Sequence, residues 1–176
     1  PRSRPSPIHP LTLTLEEKVS TMAGTGEGGF TYPVRAFPDL GLPGLHMSDG
    51  PRGVSPLADV PSTAFPVGIL RGATWDPDLE RRVGAAIARE LRAAGGDVLL
   101  APTMNVLRHP RWGRAQETYG EDPHHVGALA TAFVEGVQSE GVLASAKHFT
   151  ANSIENTRFE VDVTLDERAL REVYLP

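Results

Sequence analysis

Residues 75–102, WDPDLERRVGAAIARELRAAGGDVLLAP, predict a helix followed directly by a buried strand. Asp76 is a good helix cap and Pro77 fits the first helical position. One face of the helix carries an apolar stripe at every fourth residue, consisting of Leu79, Val83, Ile87 and Leu91. Gly95 ends the helix. The strand that follows, residues 97–102, shows no polar alternation, which is typical of a strand buried on both faces.

The same arrangement recurs at residues 121–146, EDPHHVGALATAFVEGVQSEGVLASA. Asp122 and Pro123 begin a second helix, and Gly141 ends it. Its apolar stripe consists of Val126, Leu129, Phe133 and Val137. Alternation of buried strands with amphipathic helices predicts an α/β fold with a parallel sheet. The pattern by itself leaves open whether the sheet closes into a barrel or stays doubly wound.

The N-terminal segments are less regular. Residues 1–10 predict an irregular lead-in because they are rich in proline. Thr14 and Glu17 are spaced as a capping box, which predicts a short helix that Gly24 ends.

Three further segments complete the pattern. Residues 45–47 form a short apolar stretch before a turn, and residues 55–73 predict a loop. Near the C-terminus, Thr164 and Glu167 predict a second capping box and another helix. We expect residues 11–176 to be one continuous part of a single domain, without an internal linker.

Composition excludes several classes of function. The chain has 176 residues, no cysteine and a formal net charge of −5. Without cysteine there is no disulfide, thiolate metal site or catalytic thiol, and without a basic patch we expect no nucleic-acid partner. No apolar run reaches the ~18 residues of a membrane span, and the N-terminus lacks the apolar core of a signal peptide, which favours the cytoplasm. Both ends look cut, so we expect a fragment; its oligomeric state stays open.

Polar side chains follow three predicted strands, where parallel α/β folds gather their functional groups. These residues are Asp49 after the first strand, then Asn105, Arg108 and Arg114, and finally Lys147, His148, Asn152, Glu155 and Arg158. A mixture of acid, cations, imidazole and amides suits a ligand dense in hydroxyl groups, such as a sugar. Trp112 either stacks on a sugar face or packs into the core.

Phosphate and metal sites are poorly supported. The turns after these strands carry no GxGxxG or GxxxxGK[ST] motif, and the GTGEGG loop is followed by no Lys-Ser/Thr pair. His124 and His125 lie at a helix start and lack the spacing of metal ligands. We therefore expect neither a metal nor a cofactor.

Four motifs together resemble glycoside hydrolase family 3: SDGPRGV (48–54), RWGRAQETYGEDP (111–123), KHFTANSIENTR (147–158) and LDERALREVYLP (165–176). They occur in that family's order and with its spacing. The resemblance implies that residues 11–176 are the N-terminal portion of a TIM-like (β/α)8 barrel, incomplete in this chain. It also implies a retaining enzyme that removes non-reducing-end β-glucosyl or β-xylosyl residues.

Carried over by position, the resemblance implies that five residues hold the sugar in the −1 subsite: Asp49, Arg114, Lys147, His148 and Arg158. The catalytic nucleophile and the acid/base are expected beyond residue 176. Acids in this chain are assigned other roles: Glu117 braces its loop, and Glu155 orients Lys147 or Arg158. KHFTANSIE differs from the KHFPGHG form of the N-acetylglucosaminidase branch, which favours a small carbohydrate substrate of the β-glucoside or β-xyloside class.

Two alternatives from other classes remain. The chain is either a non-catalytic sugar-binding or scaffold fragment, or part of a phosphate-binding α/β enzyme. Turnover of an aryl β-glycoside by the whole protein excludes the first, and phosphate bound at a helix N-terminus favours the second.

Lys147 and His148 add a local prediction. Successive side chains on a strand point to opposite faces, so both reach one pocket only if the backbone turns sharply. We therefore predict irregular or strained geometry there, of which a cis peptide between the two residues is one form. Lysine is rare in this chain, at two residues against 15 arginines, which favours a pocket that a compact ammonium fits and a guanidinium does not. The alternative is that Lys147 is an ordinary exposed cation.

Overall fold

The computed structural model describes residues 13–24, 33–34, 36–38, 41–55 and 61–175. The predicted lead-in and most of the GTGEGG loop lie outside these residues. The described elements, in chain order, are α1 (Leu15–Ser20), β1 (Met47–Asp49), α2 (Gly68–Gly72), α3 (Pro77–Ala93), β2 (Val98–Leu100), a 3-10 turn (Ala115–Glu117), α4 (Pro123–Ser139), β3 (Leu143–Ala144) and α5 (Glu167–Ala169), which runs into a π-helical turn (Leu170–Tyr174).

The two long helices begin where the sequence predicts. The Asp76 carboxylate accepts a hydrogen bond from the Leu79 amide at 2.9 Å, and Asp122 accepts one from the His125 amide at 2.7 Å. Gly95, at φ 85°, and Gly141, at φ 74°, adopt left-handed geometry just after the helices end. Local capping therefore fixes both ends of α3 and α4.

The three strands form one parallel sheet in the order β1-β2-β3. Ser48 lies opposite Leu99, and Leu99 lies opposite Ala144. Helix α3 connects β1 to β2 and α4 connects β2 to β3, so each parallel crossover is helical. An α/β fold with a parallel sheet is confirmed.

Helices α3 and α4 pack against each other and cover the sheet. Their shared core is made of Val54, Ile87, Ala88, Leu91, Leu99, Ala101, Phe133, Val137 and Val142. Glycines allow the two helix backbones to approach closely: a Cβ at Gly84 would lie 2.5 Å from the Phe133 carbonyl oxygen. The rigid helix pair holds the strands, and therefore the residues that follow them, in a fixed register.

Three local predictions in the rest of the chain were wrong or too long. Helix α1 has the predicted capping box but ends at Ser20, before Gly24. The predicted loop at residues 55–73 contains α2, a one-turn helix. The strand predicted at residues 142–146 is reduced to the two residues of β3.

The last helix is capped by Asp166, whose carboxylate accepts from the Ala169 amide at 2.7 Å, and Thr164 lies before the helix. The capping box predicted from Thr164 and Glu167 is therefore wrong. Asp166 is the N-cap because it directly precedes the first helical residue. In the part of the chain that the structure describes, none of the helices has the length and hydropathy that a bilayer span requires.

Candidate functional site

Asp49 and Lys147 meet at the carboxyl end of the sheet. Asp49 is the last residue of β1, and Lys147 forms a parallel bridge with Thr103 beyond the ends of β2 and β3. The Lys147 ammonium donates a hydrogen bond to the Asp49 carboxylate at 2.9 Å, with 18% and 42% of the two side chains exposed. The pair is therefore held in place but open to a ligand.

Arg114 forms a two-point ion pair with Glu117, an acid on its own loop. Its Nε and Nη2 atoms each donate to Glu117 at 2.7 Å, and Thr103 donates to the same carboxylate at 3.2 Å. Burial raises the pKa of Glu117, but the hydrogen bond and charge of Arg114, with the charge of Lys147, outweigh it and lower the pKa overall. Glu117 therefore stays ionised and braces the loop, as predicted.

Arg158 joins the group through Glu155. Arg158 Nη1 lies 3.1 Å from Glu155 Oε2, while Arg114 Nη1 lies 3.9 Å from Glu155 Oε1. Asn152 Nδ2 donates to the same Glu155 oxygen at 3.2 Å. Glu155 thus orients Arg158, which was one of its two predicted partners, and links it to Arg114. The Arg158 guanidinium also lies over the exposed Phe159 ring, 4.7 Å from the centroid.

His148 is held by Asn105. Its backbone N–H lies 3.0 Å and its ring Nδ1 lies 2.8 Å from the Asn105 Oδ1 atom. Burial lowers the pKa of His148 to about 4, and the charges of Arg114 and Lys147 act in the same direction. The ring is therefore neutral at neutral pH, despite the acids Glu117 and Glu155 nearby.

The predicted backbone irregularity is confirmed: the peptide bond between Lys147 and His148 is cis. The bond between Phe149 and Thr150 is also cis, which nothing in the sequence indicated. Around Lys147 the strand ladder continues, since its N–H donates to the Pro102 carbonyl and its own carbonyl accepts from Met104.

We name Asp49, Arg114, Lys147, His148 and Arg158 the strand-end cluster. Asp49 and Lys147 are in direct contact, Arg114 and His148 lie close enough to interact with this pair through their charges or surroundings, and Arg158 joins through Glu155. Trp112, by contrast, is 5% exposed and packs into the protein, so its stacking on a ligand is not supported. Arg108 is exposed and lies outside the ion pairs of the cluster.

A second set of charged residues was missed by the sequence reasoning. Arg71, Glu80 and Tyr119, which we name the buried triad, connect α2, α3 and the loop before α4. Arg71 Nη2 donates to the Pro51 carbonyl at 2.7 Å and lies 3.4 Å from Glu80. Tyr119 donates to Glu80 at 2.6 Å. The triad therefore ties the loop after Asp49 to the loop that carries Arg114 and Glu117.

Burial raises the pKa values of two members of the triad. It raises the pKa of Glu80 even though Arg71 and Tyr119 favour the ionised form, and it raises the pKa of Tyr119 well above its usual range. No short-range signal in the sequence predicts this grouping, because its members are separated by at least nine residues and Arg71 lies in a predicted loop.

Comparison with known proteins identifies relatives over most of the chain. Residues 35–176 match the family described as the glycosyl hydrolase family 3 N-terminal domain. β-Glucosidase B of Emericella nidulans is 43% identical over 166 residues, covering 93% of this chain and 19% of that protein. A β-glucosidase of Rhizobium radiobacter is 44% identical over 168 residues, covering 93% of this chain and 20% of that protein.

A solved structure is similar to this chain in both sequence and fold. β-Glucosidase 3B of Thermotoga neapolitana, in complex with α-D-glucose, superposes with a TM-score of 0.88 at 43% identity, covering 94% of this chain and 26% of that chain. The present chain therefore spans about a fifth of the length of the curated relatives it matches.

Proposed function

The chain belongs to glycosyl hydrolase family 3, and from that premise we propose that the whole protein hydrolyses β-glycosides. It removes non-reducing-end β-D-glucosyl or β-D-xylosyl residues with retention of configuration. This chain supplies the −1 subsite, in which the strand-end cluster binds the sugar. The observation that carries the proposal is the Asp49–Lys147 pair, half-open at the carboxyl end of a parallel sheet.

Charge balance supports a neutral ligand. Each cation of the cluster has a carboxylate partner: Lys147 pairs with Asp49, Arg114 with Glu117, and Arg158 with Glu155. A sugar inserts hydroxyl groups among these pairs without adding charge. A phosphate would leave its own charge uncompensated, and the N-termini of α3 and α4 already hold the carboxylates of Asp76 and Asp122. The phosphate-binding alternative is therefore disfavoured.

The strand-end cluster contains both hydrogen-bond donors and hydrogen-bond acceptors for sugar hydroxyl groups. Lys147, Arg114 and Arg158 only donate hydrogen bonds, so they contact hydroxyl oxygens. Asp49 accepts from hydroxyl protons through two oxygens, one of which already accepts from Lys147. Such charge-assisted bonds contribute about 1.5–3 kcal/mol each. Holding the sugar at several hydroxyls fixes its anomeric carbon for attack.

The chemistry itself is proposed to come from residues beyond 176. A retaining glycosidase needs a nucleophile and an acid/base, two carboxyl groups about 5–5.5 Å apart. In the described cluster, Glu117 and Glu155 are each occupied by arginine, and Asp49 is paired with Lys147. These acids hold cations in place, so we assign the chain to binding and orientation.

We also propose that the sheet is the first part of a (β/α)8 barrel. The support is the parallel, sequential order β1-β2-β3 with a helix after each of the first two strands, together with membership in the family. The proposed barrel domain begins near residue 11 and continues past residue 176.

The test is turnover by the whole protein. Aryl β-D-glucopyranoside and β-D-xylopyranoside are supplied separately, and proton NMR follows the anomer that forms first. We expect hydrolysis of at least one substrate, with the β-anomer as first product. Glucose binding without turnover would support the non-catalytic alternative instead. The absence of both glucose binding and turnover would contradict the proposal.

A further inference from the structure

Asn105 is a buried residue whose amide is fully engaged. It follows β2 and is 7% exposed. Its Nδ2 atom donates to the Asn152 carbonyl at 3.1 Å, and its Oδ1 atom accepts from the His148 backbone N–H at 3.0 Å. Its own main-chain carbonyl accepts a hydrogen bond from the Thr118 hydroxyl. These contacts lock the side chain between two loops of the candidate site.

The contacts also fix which way the amide points. A backbone N–H can only donate and a backbone carbonyl can only accept. With the amide reversed, Nδ2 would face the His148 N–H and Oδ1 would face the Asn152 carbonyl, so both hydrogen bonds would be lost. A buried amide tolerates neither loss. The atom next to His148 is therefore the oxygen.

That assignment determines the tautomer of His148. Its ring Nδ1 lies 2.8 Å from the Asn105 Oδ1 atom. Because an amide oxygen only accepts, Nδ1 must carry the proton, and in the neutral ring the remaining lone pair lies on Nε2. Among the described residues, none hydrogen-bonds to Nε2.

The surroundings keep the ring neutral. Four charged groups act on it: the cations Arg114 and Lys147 disfavour a second proton, while the acids Glu117 and Glu155 favour one. Burial adds to the effect of the cations, and each acid is already paired with an arginine. A neutral ring with a bare Nε2 has no proton to donate there, so His148 is not a general acid at neutral pH.

We propose that Asn105 is a positioning residue that holds His148 as the Nδ1-protonated tautomer, so that Nε2 permanently accepts a hydrogen bond from a sugar hydroxyl. The identity of the ligand rests on the proposed function, whereas the tautomer does not. The role matters because Lys147, Arg114 and Arg158 only donate, and Asp49 is the other acceptor of the cluster.

The first experiment measures the tautomer without substrate. Solid-state 15N spectra are recorded on the whole protein labelled at histidine, and the spectrum of H148Q is subtracted to assign His148. At pH 7 we expect one protonated and one unprotonated nitrogen, with the proton on Nδ1. Saturating glucose should shift the Nε2 resonance upfield. Protonated Nε2 in the free protein, or a resonance that glucose leaves unchanged, would overturn the proposal.

The second experiment changes Asn105. In N105D one carboxylate oxygen still accepts from the backbone and ring N–H groups of His148, while the donor to the Asn152 carbonyl is lost equally at both pH values. The added charge raises the pKa of His148 towards or above the ordinary value. Below that pKa the ring is doubly protonated and Nε2 becomes a donor. If the pKa returns to ~6.5, the ratio of kcat/KM for N105D to that for the wild type should be about tenfold lower at pH 5.5 than at pH 8.

The matched control is N156D, which adds the same charge to an exposed residue that is not among the hydrogen-bond partners of His148 in the described chain. Its ratio to the wild type should not change with pH. A loss in N105D that is equal at both pH values would show a merely structural role and overturn the proposal. If no glycoside is hydrolysed, the proposed function fails, and the glucose-free spectra still decide the tautomer.

Discussion

The strand-end cluster and the buried triad are both built around pairs of oppositely charged side chains, but they differ in exposure and in how completely their polar atoms are paired. Lys147 and Asp49 are 18% and 42% exposed, whereas Arg71 and Glu80 are 4% and 2% exposed. Every cation of the cluster has a carboxylate partner. In the triad, Arg71 Nε and Nη1 and Glu80 Oε2 have no hydrogen-bond partner among the described residues.

The contrast shows that charge alone does not mark a binding site. A half-open, paired cluster can exchange its internal hydrogen bonds for bonds to a ligand. A closed triad cannot meet a ligand, and its function is to connect two loops through the Pro51 carbonyl and Tyr119. We therefore expect changes in the cluster to affect catalysis and changes in the triad to affect stability.

The largest expected effect is on stability. R71A leaves the Glu80 carboxylate buried without its cation, which should cost about 3–5 kcal/mol. The unfolding midpoint of the whole protein in urea measures the loss. The matched control is R71M/E80L, which replaces the pair by apolar side chains closer in length and should recover part of the stability, although the hydrogen bond to the Pro51 carbonyl is lost in both variants. Equal destabilisation by R71A and the double variant would contradict a role as a buried ion pair.

D49N should have the next largest effect, and on activity. The amide keeps the shape of Asp49 but loses the charge that strengthens its bonds to sugar hydroxyls and to Lys147. We expect kcat/KM to fall about 10- to 100-fold, corresponding to about 1.5–3 kcal/mol. The urea midpoint should barely change, because Asp49 is half-exposed. A large loss of stability with unchanged kcat/KM would reverse the assignments of the two clusters.

K147R tests why this position has lysine. A guanidinium fork is broader than an ammonium and should not fit between adjacent hydroxyls. We expect a loss of at least ~1.5 kcal/mol, a tenfold or greater fall in kcat/KM. The chain offers its own control in K18R, the same change in helix α1, which should leave kcat/KM unaltered. Equal activity of the two variants would show that Lys147 is an ordinary cation.

The smallest effect concerns pH and stability. The pKa of His148 is lowered to about 4, while an unfolded histidine titrates near ~6.5. Between these values the unfolded state binds more protons, so this group's contribution to stability is lost as the pH falls. H148Q removes the contribution. Its melting temperature should therefore drop about 2 °C less than that of the wild type between pH 7 and pH 5, after allowing for solvent screening. Melting temperatures of H148Q and the wild type that fall equally between pH 7 and pH 5 would contradict this prediction.

Sequence reasoning succeeded where the information is local. Helices α3 and α4 carry caps, stripes and terminal glycines within their own residues, so their bounds followed directly. Helix α2 was missed because GILRG has weak helix propensity, with glycine at both ends. Packing forms it instead: Gly68 and Gly72 lie against the backbone carbonyls of Glu117 and Tyr119.

The candidate site also has a part that local sequence predicts and a part that depends on packing. Parallel strands end at one edge of a sheet, so the grouping of polar residues there was predictable. Partners three residues apart, such as Arg158 and Glu155, were also within reach. The contact between Asn105 and His148 joins residues 43 apart, and the one between Tyr119 and Glu80 joins residues 39 apart. Such pairs depend on how the helices pack, which the sequence pattern does not specify.

The most direct test of the account is a crystal structure of the whole protein with bound glucose. We expect a glucose whose hydroxyl groups lie within hydrogen-bond distance, about 2.5–3.2 Å, of the Asp49 carboxylate, the Lys147 ammonium and His148 Nε2. The buried triad should be unchanged by the sugar. Glucose bound elsewhere, with the Asp49–Lys147 pair intact and untouched by ligand, would contradict the central claim that the strand-end cluster is the sugar-binding subsite.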